Sequence, residues 1–193
     1  MRKKRKKMNT VLCAFMLALV LLACTAALWL VPKVLYPALY PQKYADVVHR
    51  YAAEYALEEN VLYAVIRTES GFDAAAQSKV DARGLMQITE ETFAWIKSKI
   101  APQEDISFED MYNAETNIRF GAYFFSACLQ RYNGDLKTAA AAYHSGWGTV
   151  DELLQNSTFS ADGKILQNFP YTQMNLYTKK VEKSYNKYNQ IYK

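Results

Sequence analysis

Residues 59–72 read Glu-Asn-Val-Leu-Tyr-Ala-Val-Ile-Arg-Thr-Glu-Ser-Gly-Phe. Leu62, Val65, Ile66 and Glu69 recur at intervals of three and four, the spacing that lines up one face of an α-helix. The stripe is apolar until it reaches Glu69, whereas surface helices put carboxylates on the opposite face. Gly71 follows closely, so Glu69 also lies near the helix C-terminus, where carbonyl dipoles disfavour negative charge. Desolvation and the dipole act in the same direction, raising the carboxyl pKa above its ordinary ~4.3. A carboxylic acid that keeps its proton near neutrality can donate it to a leaving oxygen. The competing reading is a Glu at a frayed helix end, pointing into water or paired with Arg83.

Helical periodicity extends to both sides of this segment. Val48, Tyr51, Ala52 and Tyr55 form one stripe, and Phe93, Ile96 and Ile100 another with Thr89 as its N-cap. Ile118, Ala122, Phe125, Leu129 and Tyr132 form the longest central stripe, which stops at Asn133-Gly134. Asp135 caps an alanine-rich helix reaching Tyr143, and Tyr177, Val181, Ser184, Tyr188 and Ile191 repeat the pattern near the C-terminus. No stretch alternates as a strand does. The fold class is all-α, with at most one minor irregular or β segment around Ala74 to Arg83.

The chain has 193 residues, 51% hydrophobic and 22% charged, with only 7 Gly and 5 Pro, which excludes a mostly disordered or collagen-like chain. Its net charge of +4 comes from one place: Arg2 to Lys7 supply six of the 23 basic residues, leaving 17 against 19 acidic ones. That distribution gives no case for nucleic-acid binding by the folded part. Cys128 is the one cysteine outside the apolar N-terminal stretch, which excludes an intradomain disulfide. With His49 and His144 far apart in sequence, no metal-ligand cluster is offered and no cofactor is expected.

Val11 to Val31 carries no charge over 21 residues, the length that spans a bilayer's hydrocarbon core. The preceding basic run places the N-terminus in the cytoplasm by the positive-inside rule. The expected organisation is a basic cytoplasmic tail over 1–10, a transmembrane anchor over 11–31, a Pro-containing linker over 32–42 and a globular domain over 43–193. Leu21-Leu22-Ala23-Cys24 offers a lipobox-like alternative, although Thr25 to Val31 stays apolar after the cysteine.

Several short blocks then fall in register. Glu69-Ser70-Gly71-Phe72 leads through Ala76-Gln77-Ser78 to Gly84-Leu85-Met86-Gln87-Ile88. Asn113-Ala114-Glu115-Thr116-Asn117-Ile118-Arg119-Phe120-Gly121 follows, then Ala142-Tyr143-His144-Ser145-Gly146, Phe169-Pro170-Tyr171 and Tyr177-Thr178-Lys179-Lys180-Val181. Their order and spacing resembles the soluble lytic transglycosylase (SLT) family, peptidoglycan-cleaving enzymes with a lysozyme-like fold, and the basic tail and single span look like membrane-anchored Gram-positive members.

The resemblance implies that Glu69 is the catalytic acid/base. It also implies that Ser70, Ser78, Met86, Gln87, Tyr143, His144 and Tyr171 line a glycan groove. Hydroxyls and amides suit sugar hydroxyl and N-acetyl groups, and flat rings suit apolar sugar faces. The implied reaction cleaves the MurNAc–GlcNAc β-1,4 bond and forms 1,6-anhydromuramoyl ends. The implied partners are peptidoglycan strands, the cytoplasmic membrane and, as such enzymes commonly serve them, a cell-wall or secretion machine. The implied location is the outer face of the cell membrane.

The chain also departs from the family pattern. His144-Ser145 stands where Asn-Ala is usual, Trp147 replaces a Pro, Asp81 a Gly and Glu90 a Pro, and Gln173 takes the place of an acidic residue. A lysozyme-type hydrolase and a peptidoglycan-binding scaffold without turnover remain the rivals, with a helical adaptor using the C-terminal tyrosines as a further one.

Overall fold

The computed structural model describes residues 2–192. It divides into two units, residues 1–41 and 42–193. The first is a single helix, α1 (Arg2–Leu39). Its Thr10–Leu39 part is long and apolar enough to cross a membrane, and its apolar side chains from Val11 to Leu30 are exposed. The helix runs through Pro32 and Pro37, so most of the segment read as a linker is helical. Proline restricts the residue before it and removes one hydrogen bond, but an apolar helix can absorb that loss.

The second unit begins with α2 (Ala45–Glu54) and α3 (Glu59–Glu69). α3 buries Val61 to Ile66 without interruption, and a helix apolar all round belongs in the interior. α4 (Glu90–Ile100) follows a turn-rich segment, and the Thr89 hydroxyl caps it by accepting from the Thr92 amide. A 3-10 helix at Phe108–Tyr112 leads into α5 (Ala114–Arg131), whose end at Asn133-Gly134 takes left-handed backbone. α6 (Leu136–Ser145) is capped by Asp135 as its sequence indicates, with Asp135 Oδ1 accepting from the Thr138 amide at 2.7 Å. α7 (Trp147–Leu154) and the 3-10 helix carry no clear periodic stripe in the sequence. α8 (Thr172–Ile191) closes the unit against α3 and α6.

Ala139 to Ala142 are fully buried, and such small side chains let α6 sit between α5 and α8. Fully burying Leu62, Ile66, Phe120 and Phe125 contributes roughly 1.5–3 kcal/mol each. Among the described residues no strand forms. Isolated bridges pair Arg83 with Gln77 and with Ile88, the minor extended segment that the sequence allows.

Candidate active site

α3 stops where Gly71 and Phe72 turn left-handed, at φ 61° and 71°. A bulky residue rarely accepts that conformation. Phe72 is buried with its ring 6.4 Å from that of Tyr63, which holds it there. Glu69 is thus the last residue of a core helix, at the mouth of the turn-rich segment.

The loop Arg83–Ile88 is pinned from three helices. Buried Asn117 on α5 accepts from the Met86 amide at 2.7 Å and donates to the Arg83 and Met111 carbonyls at 2.9 and 2.8 Å. Ser70 donates to the Leu85 carbonyl and Tyr143 to the Met86 carbonyl, each at 2.8 Å. A Cβ on Gly84 would stand 2.1 Å from the Met111 carbonyl oxygen, and one on Gly121 would stand 2.3 Å from Met86 Sδ. Only glycine fits either place. Arg83 forms ion pairs with Asp81 and Glu109 and lies over the Phe108 ring, which removes the competing pairing with Glu69. Asp81 takes left-handed backbone at φ 58°, where its short polar side chain is tolerated.

These elements enclose a cleft of about 230 Å³ lined by Glu69, Ser78, Val80, Ala82, Gln87, Ile88, Thr89, Thr92, Phe124, Tyr143 and His144. Glu69 is the only carboxylate in that lining. Its Oε1 accepts from the Tyr177 hydroxyl at 2.6 Å. Burial pushes the Glu69 carboxyl up to about 7, and the Tyr177 hydrogen bond offsets part of that rise. His144 stacks on the Tyr177 ring with centroids 4.4 Å apart and planes 12° from parallel. Partial burial lowers the His144 pKa, which favours a neutral ring.

Of the residues expected to line the groove, the structure brings Ser78, Gln87, Tyr143 and His144 together with Glu69. Ser78 Oγ accepts from the Ala82 amide, which leaves its own O–H to donate. Gln87 donates to the Ala76 and Gly84 carbonyls, which leaves its amide oxygen to accept. The structure places the other three elsewhere. The Ser70 hydroxyl is committed to the loop, the Met86 side chain is buried over Gly121, and Tyr171 is an exposed residue at the start of α8. None of the three lines the cleft.

Tyr177 and Asn117 were not singled out from sequence as site residues. Their signal is a hydroxyl and an amide on otherwise apolar helix faces. The change to Trp147 also has a packing reason. Its ring lies 5.0 Å from Trp95 and 5.7 Å from Phe124, and its indole N–H donates to Cys128 Sγ. A larger recess of about 450 Å³ lies elsewhere, lined in part by Glu58, Leu57, Gln130 and Tyr185. Its carboxylate is exposed, so volume alone does not locate the chemistry.

Residues 46–166 match the family described as the transglycosylase SLT domain. The chain belongs to that family. The chain is 30% identical over 131 residues to membrane-bound lytic murein transglycosylase C of Yersinia pestis (strain Pestoides F) and of Yersinia pseudotuberculosis (serotype O:1b, strain IP 31758). Each match covers 64% of this chain and 37% of the relative, so the chain spans well under half the length of these curated relatives. Among solved structures, an inactive mutant of the lytic transglycosylase Slt from Pseudomonas aeruginosa aligns at 26% identity with a TM-score of 0.68, over 78% of this chain and 24% of that one. The 70 kDa soluble lytic transglycosylase of Escherichia coli aligns at 24% identity with a TM-score of 0.72, over 80% of this chain and 25% of that one. The SLT domain here therefore has the lysozyme-like fold.

Proposed function

We propose that the chain is a peptidoglycan lytic transglycosylase that cleaves the MurNAc–GlcNAc β-1,4 bond and leaves 1,6-anhydromuramoyl ends. The observation that carries this reading is Glu69, a lone cleft carboxylate pushed up to about 7 by burial and held in place by Tyr177. Most glycosidases need a second carboxylate as nucleophile or base. With one, the substrate has to supply the nucleophile.

Glu69 gives its proton to the glycosidic oxygen, the C1–O bond breaks, and oxocarbenium character develops at C1. The substrate N-acetyl group assists. The ionised Glu69 then takes the proton of the muramoyl C6 hydroxyl, whose oxygen bonds to C1 and closes the anhydro ring. Glu69 ends protonated and no water is consumed. Holding the C6 oxygen near C1 makes the step intramolecular, a source of much of the rate. Ser78, Gln87, Tyr143 and His144 contact the glycan in this reading, and the ring faces of Phe124 and Tyr143 suit apolar sugar faces.

The apolar stretch of α1 anchors the protein in the cytoplasmic membrane in a single pass. The basic residues before it hold the N-terminus inside, and the domain faces the wall.

Digestion of purified peptidoglycan with wild type and Glu69→Gln, followed by mass spectrometry of the fragments, tests the reading. Anhydro ends from wild type and no fragments from the variant are expected. Reducing ends would establish the hydrolase instead, and binding without fragments the scaffold.

A further inference from the structure

The bond that holds Glu69 has a second support behind it. The Tyr177 ring is covered on one face by His144, which comes from the last turn of α6 while Tyr177 comes from α8. At 4.4 Å and 12° the two rings lie flat on each other, so Tyr177 cannot swing toward the cleft without displacing the imidazole. His144 itself is exposed and lines the cleft, standing between solvent and the phenol.

We propose that His144 is a positioning residue which, through its stack on Tyr177, keeps the Tyr177–Glu69 hydrogen bond closed to solvent. The inference deepens the transglycosylase reading and rests on it for the reaction, though not for the titration. Burial is the principal cause of the raised Glu69 pKa, so whatever keeps water from the Tyr177–Glu69 bond sustains it. The imidazole also has to be uncharged. An imidazolium here would put a cation over the phenol that donates to the carboxyl, which favours the carboxylate. The lowered His144 pKa, caused by partial burial, agrees with a neutral ring.

The groups facing His144 leave few other sources of pH dependence. Tyr177 on α8 and Tyr143 on α6 are both held well above the ordinary phenol value by burial and stay neutral. Cys128 on α5, which interacts with both phenols, is pushed up to about 12 by burial. The 78–92 segment contributes Ser78, Gln87, Thr89 and Thr92 to the cleft, none of them charged. Lys179 and Lys180, the charges nearest Tyr177 in sequence, are exposed. Among the described residues lining the cleft, that leaves Glu69, raised by burial, and His144, lowered by it.

The test uses the full chain in detergent micelles. The pH dependence of kcat/KM on glycan strands is measured alongside ¹³C NMR titration of the Glu69 carboxyl. His144→Ala should move the alkaline limb and the Glu69 titration down together by about one pH unit, equivalent to about tenfold in rate on the alkaline side. His144→Lys should move both further. His144→Phe, which restores a flat ring without charge, should bring both back toward the wild-type position whatever its maximal rate. Uniform loss of rate at every pH in His144→Ala and His144→Lys, with Glu69 titrating unchanged, would overturn the proposal. If wild type cleaves no glycan at all, the functional reading fails, and the carboxyl titration still decides the role of His144.

Discussion

α8 donates a tyrosine hydrogen bond to a glutamate at each end of α3, and the two bonds are nearly equal in length. Tyr177 reaches Glu69 at 2.6 Å and Tyr185 reaches Glu58 at 2.7 Å. Glu58 and Tyr185 both line the larger recess, whereas Glu69 lines the cleft with Tyr177 behind it. The surroundings differ. Glu58 is exposed at the N-cap of α3, where a carboxylate meets water and the positive end of the helix dipole. The Glu69 carboxyl is withdrawn into the domain at the opposite end of the dipole. The phenols differ in the same way. Tyr177 is raised chiefly by burial and Tyr185 chiefly by its hydrogen bond to Glu58. The same donor and acceptor therefore make a surface tether at one end and a proton store at the other. Desolvation makes the difference, since the hydrogen bond alone lowers the Glu69 pKa.

The most severe way to break this comparison is to neutralise both glutamates separately. Glu69→Gln should lower cleavage by about 10³-fold or more, the scale of a lost general acid. Glu58→Gln should change it by less than about twofold, as exposed substitutions usually do. A fragment-release assay on both variants decides it, and comparable losses would erase the distinction between the two ends.

Stability against pH tests the same contrast without substrate. Glu69 titrates at about 7 when folded and near 4.5 when unfolded, so between those values the folded chain holds the extra proton. Folding free energy should then fall as pH rises through that window, by up to about 3 kcal/mol from this one group. Glu69→Gln should remove that fall and be more stable than wild type above pH 7, whereas Glu58→Gln should keep it. Urea denaturation of the three proteins at acid and mildly alkaline pH reads the difference.

The loop that creates the withdrawn end can also be loosened. Asn117→Ala removes the partner of the Met86 amide and of the Met111 carbonyl, each buried unsatisfied group costing about 1–3 kcal/mol, while the Arg83 carbonyl keeps its bond from the Ile88 amide. A net destabilisation of about 2–3 kcal/mol is expected in thermal or urea melts, partly offset by water entering the gap. The mildest probe removes the phenolic hydroxyls. Tyr177→Phe should lower the rate about tenfold by releasing Glu69, and should move its titration upward, because the lost bond favoured the carboxylate. Tyr185→Phe should shift stability by under ~0.5 kcal/mol and leave cleavage unchanged.

Much of this architecture was legible in the sequence because it obeys local rules. The α3 stripe, the Thr89 and Asp135 caps and the break at Asn133-Gly134 each depend on residues close together in the chain. The position of Glu69 on an apolar face was legible for the same reason. What holds it was not, since Tyr177 lies 108 residues away and looks from sequence like one more core aromatic on its stripe. Ser70 and Met86 show the converse. Both recur in register with Glu69 and so resemble groove residues, and the structure gives the Ser70 hydroxyl and the buried Met86 side chain a part in seating the loop behind it. α7 and the 3-10 helix escaped because their packing is tertiary: Trp147 is placed by Trp95 and Phe124, and Met111 by the interior.

Three anchors, Ser70 just past the end of α3, Asn117 on α5 and Tyr143 on α6, converge on one short loop, so the cleft exists only once all three are docked. An exported chain that has not yet collapsed holds Glu69 in water, as an ordinary anion unable to protonate a sugar linkage. On the proposed topology and function, the protein crosses the lipid harmless and acquires its capacity to cut only on the side where its polymer waits.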